Sequence, residues 1–274
     1  MNKMQKKSEQ KGSLSEIGEL LKTLLWAGAI AIGIRSFLVE PFNIPSGSMV
    51  PTLLVGDYLF VTKFSYGYSR FALPYGSRLP IKGRLGSIGP DRGDVVVFRP
   101  SGQPEIDFIK RVIGLPGDRI QMRQGRLYIN DQLVQRKQTE DYMDPDNPLA
   151  PPVPQYIEIL PNGTEHRILE SSGDDGYLDN TPVYMVPEDH YFMMGDNRDN
   201  SQDSRAPRYG FGNISPDTIL SDNELLFPVG FISRENLVGP AQILFWSYSP
   251  GFTFYNPISW IRELRASRLL HVIR

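Results

Sequence analysis

The chain has 274 residues, 40% of them hydrophobic, and a formal charge of −2; it can bury a sizeable core in one or two globular domains and lacks the positive excess that nucleic acid demands. There is no cysteine, which excludes disulfides, thiolate metal sites and cysteine nucleophiles, and His166, His190 and His271 are not spaced as a metal-ligand pair. With 25 glycines and 23 prolines, turn-rich β structure is expected and an all-α fold is disfavoured.

The first element is apolar. As a helix, Ile17 to Leu38, IGELLKTLLWAGAIAIGIRSFL, would extend about 33 Å, enough to cross a bilayer core. Its uninterrupted apolar part, Leu24 to Ile34, is short, so spanning requires Lys22 and Arg35 to reach opposite interfaces, with Trp26 as an anchor. A buried amphipathic helix and a cleaved signal peptide compete with this reading. Against cleavage, the run continues into Arg-Ser-Phe-Leu-Val-Glu-Pro rather than a small-x-small site. Lys3, Lys6, Lys7, Lys11 and Lys22 lie on the amino-terminal side, which places residues 1–16 in the cytoplasm, 17–38 in the membrane and the remainder outside.

Next comes IPSGSMVPTL, residues 44–53, two serines around a glycine between prolines. Beyond it the apolar runs are short and rich in β-branched and aromatic residues, at 58–64, 94–100, 107–115, 119–122 and 126–129, and read as strands. Hairpins are expected over 126–134, turning at Asn130-Asp131, and over 156–169, turning at Asn162-Gly163. Residues 138–155 are acidic and proline-rich and 171–180 rich in Gly, Asp and Ser; both read as exposed loops framing an inserted subdomain. Further strands follow at 183–186, 190–195 and 241–246. The segment from Ile258 to Arg274 alternates apolar residues with arginines and reads as a basic amphipathic helix, lying on lipid or packed on the domain.

A serine hydroxyl is a weak nucleophile without a base, and histidine is scarce here. Lysine is the substitute, provided burial lowers its pKa. Lys110 sits inside the apolar run Phe108-Ile109-Lys110-Arg111-Val112-Ile113, where strand alternation sends Lys110 and Arg111 to opposite faces, one of them inward. Taken alone, a lysine on such a strand faces solvent. Further on, MGDNRDNSQDSR, residues 194–205, concentrates Asp196, Asn197, Arg198, Asp199, Asn200, Ser201, Asp203, Ser204 and Arg205 after an apolar strand. That density suits a rigid network of charge-assisted hydrogen bonds supporting a site. A calcium loop is the rival, but the terminal glutamate of an EF-hand is missing.

Four ordered stretches, IPSGSMVPTL, RGDVVVF, DFIKRVIGLPGD and MGDNRDNSQDSR, following an amino-terminal apolar segment, resemble the bacterial type I signal peptidases (leader peptidases), serine–lysine dyad enzymes. The likeness covers roughly 40–122 and 186–248. It implies a mainly β fold: an antiparallel catalytic β core over 39–122 and 186–256, an inserted β subdomain over 123–185, an N-terminal transmembrane helix and a C-terminal basic segment over 257–274. It also implies that Ser48 is the nucleophile, Lys110 the general base, and Ser46 with the Ser48 backbone N–H the oxyanion hole. Ser201 would orient the lysine, with Asp203 and Arg205 as a supporting ion pair. Ile44, Pro45, Met49, Leu53, Phe108 and Ile109 would line pockets for small residues at the first and third positions before the scissile bond. Phe108 stands where tyrosine is common in the family.

The implied substrates are exported preproteins, cleaved at their signal peptides from a bacterial inner membrane, on the periplasmic side and near the export machinery. No cofactor or metal is implied. Ser48 lies thirteen residues beyond Arg35 and therefore within about 45 Å of the outer membrane face, and a peptide extended along a strand presents alternate side chains to one wall. The rival from another class is a membrane-tethered, non-enzymatic β domain that binds extended peptides by strand addition. A self-cleaving serine–lysine repressor is disfavoured by the amino-terminal segment.

Overall fold

The computed structural model describes residues 3–73, 76, 80, 82–86, 88–101, 104–206, 219–220 and 229–273, with side chains from residue 16 onward except those of 219–220. The lysine side chains at positions 3 to 11, and residues 207–218 and 221–228 of the expected core, lie outside the described residues.

Helix α1 (Lys3–Phe37) extends well past the apolar run on its amino-terminal side. Its portion Glu16–Phe37, with mean hydropathy 1.6, is the one helix among the described residues long and apolar enough to cross a membrane. Leu24, Leu25, Trp26, Ile30 and Ile32 on it are all exposed. The helix stops as Leu38 leads into β structure, with Pro41 unable to donate an i→i−4 bond three residues on. Arg35, expected to reach for an interface, instead pairs with Glu40 at 3.1 Å, and Glu40 also holds the buried Lys63 at 2.8 Å.

In chain order the strands are β1 (Val39–Asn43), β2 (Asp57–Thr62), β3 (Tyr68–Ser69), β4 (Arg84–Leu85), β5 (Val95–Phe98), β6 (Phe108–Gly114), β7 (Arg119–Arg123), β8 (Arg126–Ile129) and β9 (Gln132–Leu133). They continue with β10 (Gln135–Gln138), β11 (Gln155–Ile159), β12 (Glu165–Leu169), β13 (Val183–Met185), β14 (His190–Met194), β15 (Ile219–Leu220), β16 (Ile232–Ser233), β17 (Leu237–Ser247) and, after the short helix α2 (Pro257–Arg262), β18 (His271–Val272). The main sheet runs β1-β2-β17-β5-β6-β14-β16, with β18 added to β17, and every pairing in it is antiparallel. A second sheet, β15-β13-β7-β8-β9, and a third, β10-β11-β12, hold the middle of the chain; β3 and β4 form a separate ribbon. The fold is mainly antiparallel β, as expected.

The expected hairpin turn at Asn130-Asp131 forms with φ of 54° and 63°, the left-handed pair that fits the twist of a two-residue loop. β17 is eleven residues long and longer than its apolar signal, because it runs through Gly239-Pro240. A Cβ at Gly239 would lie 2.3 Å from the Thr62 carbonyl oxygen, so the glycine permits the close approach of β17 to β2. The polar strand β10 carries no apolar alternation and was unreadable from pattern.

The carboxy-terminal segment departs from a continuous helix. It is α-helical only over Pro257–Arg262, then turns and pairs as β18 with Ile243 and Leu244 of β17. Two of its arginines are held by protein carboxylates: Arg268 Nη2 bonds Asp57 Oδ2 at 2.5 Å, and Arg265 pairs with Asp146 and lies 3.7 Å from Asp57. Asp57 is fully buried and also accepts from the Leu54 N–H and the Ser247 hydroxyl, so it ties the stretch after Ser48 to the end of the chain. Asp57→Ala strands these donors and should lower the unfolding free energy by about 3–5 kcal/mol, read from urea unfolding of the purified protein; Arg268→Ala, removing a partly exposed partner, should cost less.

Candidate active site

Ser48 lies in the 3₁₀ turn Gly47–Met49, entered from β1 and left toward β2. The turn is held from both sides. Met49 and Leu53 are fully buried in a cluster with Ile44, Leu59, Val61, Val95, Val97 and Leu244, and Leu53 N–H donates to the Met49 carbonyl at 2.8 Å. Burying these two apolar side chains, worth roughly 1.5–3 kcal/mol each, fixes the backbone immediately after the serine.

Lys110 and Arg111 are adjacent cations on β6 and both are buried, at 3% and 0% exposure; the expectation that one of them faces inward is therefore corrected to both. Arg111 receives a full counter-charge: its Nε and Nη2 bond Asp196 Oδ1 and Oδ2 at 2.8 and 2.7 Å, and its Nη1 donates to the Gly93 carbonyl. Among the described residues no carboxylate pairs with Lys110. Its Nζ contacts Ser48 Oγ at 2.7 Å and the Ile109 carbonyl at 3.0 Å. Burial therefore governs it and pushes its pKa down to about 8, with the more distant Asp203 and Asp196 partly offsetting and Arg205 adding to the fall.

The polar loop after β14 is bonded to the serine turn. Asn197 N–H donates to the Ser48 carbonyl and Asn197 Nδ2 to the Gly47 carbonyl, both at 3.1 Å. Gly195 makes this contact possible: a Cβ there would lie 2.5 Å from the Ser48 carbonyl oxygen and 2.2 Å from Ser201 Oγ. Asp203 accepts from Gly195 N–H at 2.9 Å and grips Arg205 through both carboxylate oxygens, while Arg205 Nη2 donates to the Arg198 carbonyl. Asp203 and Arg205 thus form a fully buried pair.

A buried chain of ionisable groups backs this loop. From Arg111 it passes to Asp196, then to His166, whose Nδ1 lies 3.4 Å from Asp196 and whose Nε2 lies 3.2 Å from Glu158, and ends at Arg198, which takes both Glu158 oxygens. Burial by itself would raise the Glu158 and Asp196 carboxyls. Arg198 and His166 outweigh it for Glu158, holding it at about 2, and Arg111 does so more strongly for Asp196.

Of the residues singled out in the sequence, Ser46, Ser48, Lys110, Ser201, Asp203 and Arg205 come together in one region. Ser46 Oγ lies 3.5 Å from Ser48 Oγ. Ser201 is buried against Gly195 but is not a hydrogen-bond partner of Lys110. Ile44, Met49 and Leu53 share one cluster, with Ile109 packed on it and the exposed Pro45 following Ile44 in the chain. Phe108 packs in a different cluster, with Val96, Phe98 and Val112, its ring centroid 5.8 Å from Lys110 Nζ.

Sequence reading missed Gly195, Thr52, Glu158 and the role of His166. Thr52 donates to Asp196 Oδ2 at 2.5 Å. His166 and Glu158 are direct cross-strand partners on β12 and β11, so counting back from the Asn162-Gly163 turn would have paired them.

The chain matches the family model described as "Signal peptidase, peptidase S26" over residues 17–246. It is 37% identical over 256 residues to signal peptidase I of Rickettsia typhi, covering 88% of each chain, and 39% identical over 224 residues to signal peptidase I of Rickettsia conorii, covering 80% of this chain and 75% of that one. Among solved structures it is similar to a signal peptidase I from Enterococcus faecalis, with 23% identity, a TM-score of 0.28, and coverage of 56% of this chain and 97% of that one.

The lowered Lys110 pKa has a signature in stability. Below about pH 8 folded and unfolded chains both hold the proton and the cost of a buried ammonium is fully present; between about 8 and 10.5 only the unfolded chain binds it, so the unfolding free energy contributed by this group rises with pH. The rise should reach about 3 kcal/mol and be missing in Lys110→Met, measured as the difference in denaturant unfolding between the two proteins at about pH 7 and about pH 10.5.

Proposed function

Since the chain belongs to the signal peptidase family, peptidase S26, and is a serine peptidase, we propose that it is a membrane-anchored endopeptidase that removes signal peptides from exported preproteins with a Ser48–Lys110 dyad. The observation that carries this reading is the 2.7 Å contact between Ser48 Oγ and a buried lysine without a carboxylate partner. A free lysine is only about 0.1% neutral near pH 7.4, whereas one with a pKa of about 8 is roughly a fifth neutral. The alternative of a non-enzymatic, tethered β domain leaves that contact without a purpose.

In the proposed reaction Ser48 Oγ attacks the scissile carbonyl carbon while its proton passes to the neutral Nζ of Lys110. The oxyanion receives hydrogen bonds from the Ser48 backbone N–H and the Ser46 hydroxyl. Collapse breaks the C–N bond, and the Lys110 ammonium returns the proton to the leaving amine, releasing the mature protein and leaving the signal peptide as an ester on Ser48. Lys110, neutral again, takes a proton from water as the hydroxide attacks the ester, and the second collapse returns that proton to Ser48. Ser201, Asp203 and Arg205 act as positioning residues that keep the loop against the dyad.

Substrate geometry follows from the sheet. β1 stands at its edge and runs straight into Ile44 to Ser48, so its free main-chain side can pair with an extended peptide ending at the serine. Ile44, Met49 and Leu53, with Ile109 packed on them at that end, are proposed to form the wall that admits only small side chains, such as alanine, at the first and third positions before the bond. The apolar, exposed face of Glu16–Phe37 is proposed to span the inner membrane with the amino terminus in the cytoplasm, the peptidase domain in the periplasm and the export machinery nearby.

Ser48→Ala and Lys110→Met should each abolish cleavage of a preprotein bearing an Ala-x-Ala site while the circular dichroism spectrum stays unchanged; full activity in either would overturn the assignment. Ser46→Ala should lower kcat by about 10²–10³ with little change in KM. The kcat/KM profile should rise with pH to a midpoint at about 8, where the base loses its proton.

A further inference from the structure

Glu170, just after β12, Asp179, in the loop that follows, and Asp199, in the polar loop after β14, bring one carboxylate oxygen each to within 4.8 Å of one another. Two observations separate this from a chance acidic cluster. Glu170 and Asp179 are 1% and 0% exposed, yet Glu170 Oε2 and Asp179 Oδ1 have no hydrogen-bond partner, a state that buried carboxylates rarely keep. Gly176 also leaves space over the cluster: a Cβ there would stand 2.8 Å from Asp199 Oδ1 and 2.9 Å from Asp179 Oδ2.

Two of the three neighbouring cations are engaged elsewhere, and the third, Arg136, meets the cluster only at the outer oxygen of Glu170. Arg198 holds both oxygens of Glu158, Arg205 grips Asp203, and Arg136 bonds Asp174 at 2.6 Å while standing 3.5 Å from Glu170 Oε1. Among the described residues no ion pair joins Arg198 or Arg205 to the three carboxylates. A cavity of about 390 Å³, lined by Ser172, Tyr177, Leu178, Asp199, Asn200 and Ser201, reaches Asp199, the outermost of the three.

We propose that Glu170, Asp179 and Asp199 bind a calcium ion that ties the 171–180 loop to the polar loop carrying Ser201, Asp203 and Arg205. The donors are all hard oxygens, and Ca–O bonds of about 2.3–2.6 Å place opposite ligands about 5 Å apart, a span that accepts this triangle without movement. The smaller magnesium ion would require the carboxylates to close in and dehydrates reluctantly. Asp199 also receives the Ser172 N–H at 2.7 Å, so the two loops already meet at the residue that the ion would share.

The test uses the full chain in detergent micelles after EDTA treatment and exchange into metal-free buffer. Terbium, standing in for calcium, should give tyrosine-sensitised luminescence through Tyr177, displaced by calcium at about 10⁻⁴–10⁻³ M and reduced at least tenfold in Asp199→Asn and in Asp179→Asn. At about ten times the dissociation constant, calcium should raise the Tm by about 3 °C, magnesium should raise it less, and the Asp179→Asn, Asp199→Asn double variant should show no shift. Equal calcium shifts in wild type and double variant would overturn the proposal. So would a wild type that ignores calcium while the double variant is more stable without it, since a proton shared by the buried carboxyls would then occupy the site. Neither readout depends on peptidase activity, so a failure here is distinguishable from a failure of the Ser48–Lys110 assignment.

Discussion

An uncompensated lysine beside a fully compensated arginine is the constraint around which this structure is arranged. Lys110 and Arg111 are one peptide bond apart and both buried, yet among the described residues only Arg111 is given a carboxylate. A carboxylate within bonding distance of Lys110 would favour its ammonium form and remove its ability to accept a proton. The fold therefore has to bring enough apolar surface over Lys110 to desolvate it while routing the nearby acids to other partners, Asp203 to Arg205 and Asp196 to Arg111. The bidentate geometry of the guanidinium suits that capture, since it saturates both oxygens of Asp196.

Holding Asp196 in that position involves a long line of partners. The aspartate is contacted by Thr52 from the segment after Ser48 and by His166 from β12, and His166 passes the connection through Glu158 to Arg198 in the same loop as Asp196. The loop is thus closed on itself through residues from a different sheet. Its own backbone approaches Ser48 only because position 195 lacks a side chain. Electrostatics and sterics meet at one short turn: a charge that must be absent from Lys110, and a Cβ that must be absent from Gly195.

Much of this was legible beforehand. The strands with apolar alternation and the Asn130-Asp131 turn follow from local pattern, each written within a few residues, whereas the grouping of Ser48, Lys110 and the loop of 194–205 is implied by the resemblance of four ordered motifs to a family. What escaped was written across distance. β10 has no apolar face, β17 passes through a Gly-Pro pair, and the carboxy-terminal segment reads as a basic helix, on lipid or on the domain, until Asp57 and Asp146, more than a hundred residues away, are seen to occupy Arg268 and Arg265. The burial of both Lys110 and Arg111 was hidden for the same reason: alternation assigns one face to the core, whereas here the serine turn and the polar loop cover what the sheet alone would expose. His166 looked solitary because its partners, Glu158 and Asp196, are neighbours only in space.

The chain of groups from Arg111 to Arg198 also bears on how the molecule can be taken apart. Residues 123–185 read as a segment inserted between two halves of the core. One of its side chains, Glu158, nonetheless completes the charge of Arg198, and another, His166, lies between Glu158 and Asp196. Excising the segment would leave a guanidinium buried without its acid, at a cost of about 3–5 kcal/mol, in the loop that rests on Ser48. The middle of the chain is therefore not a detachable module, and a chain without it would have to neutralise Arg198 by other means.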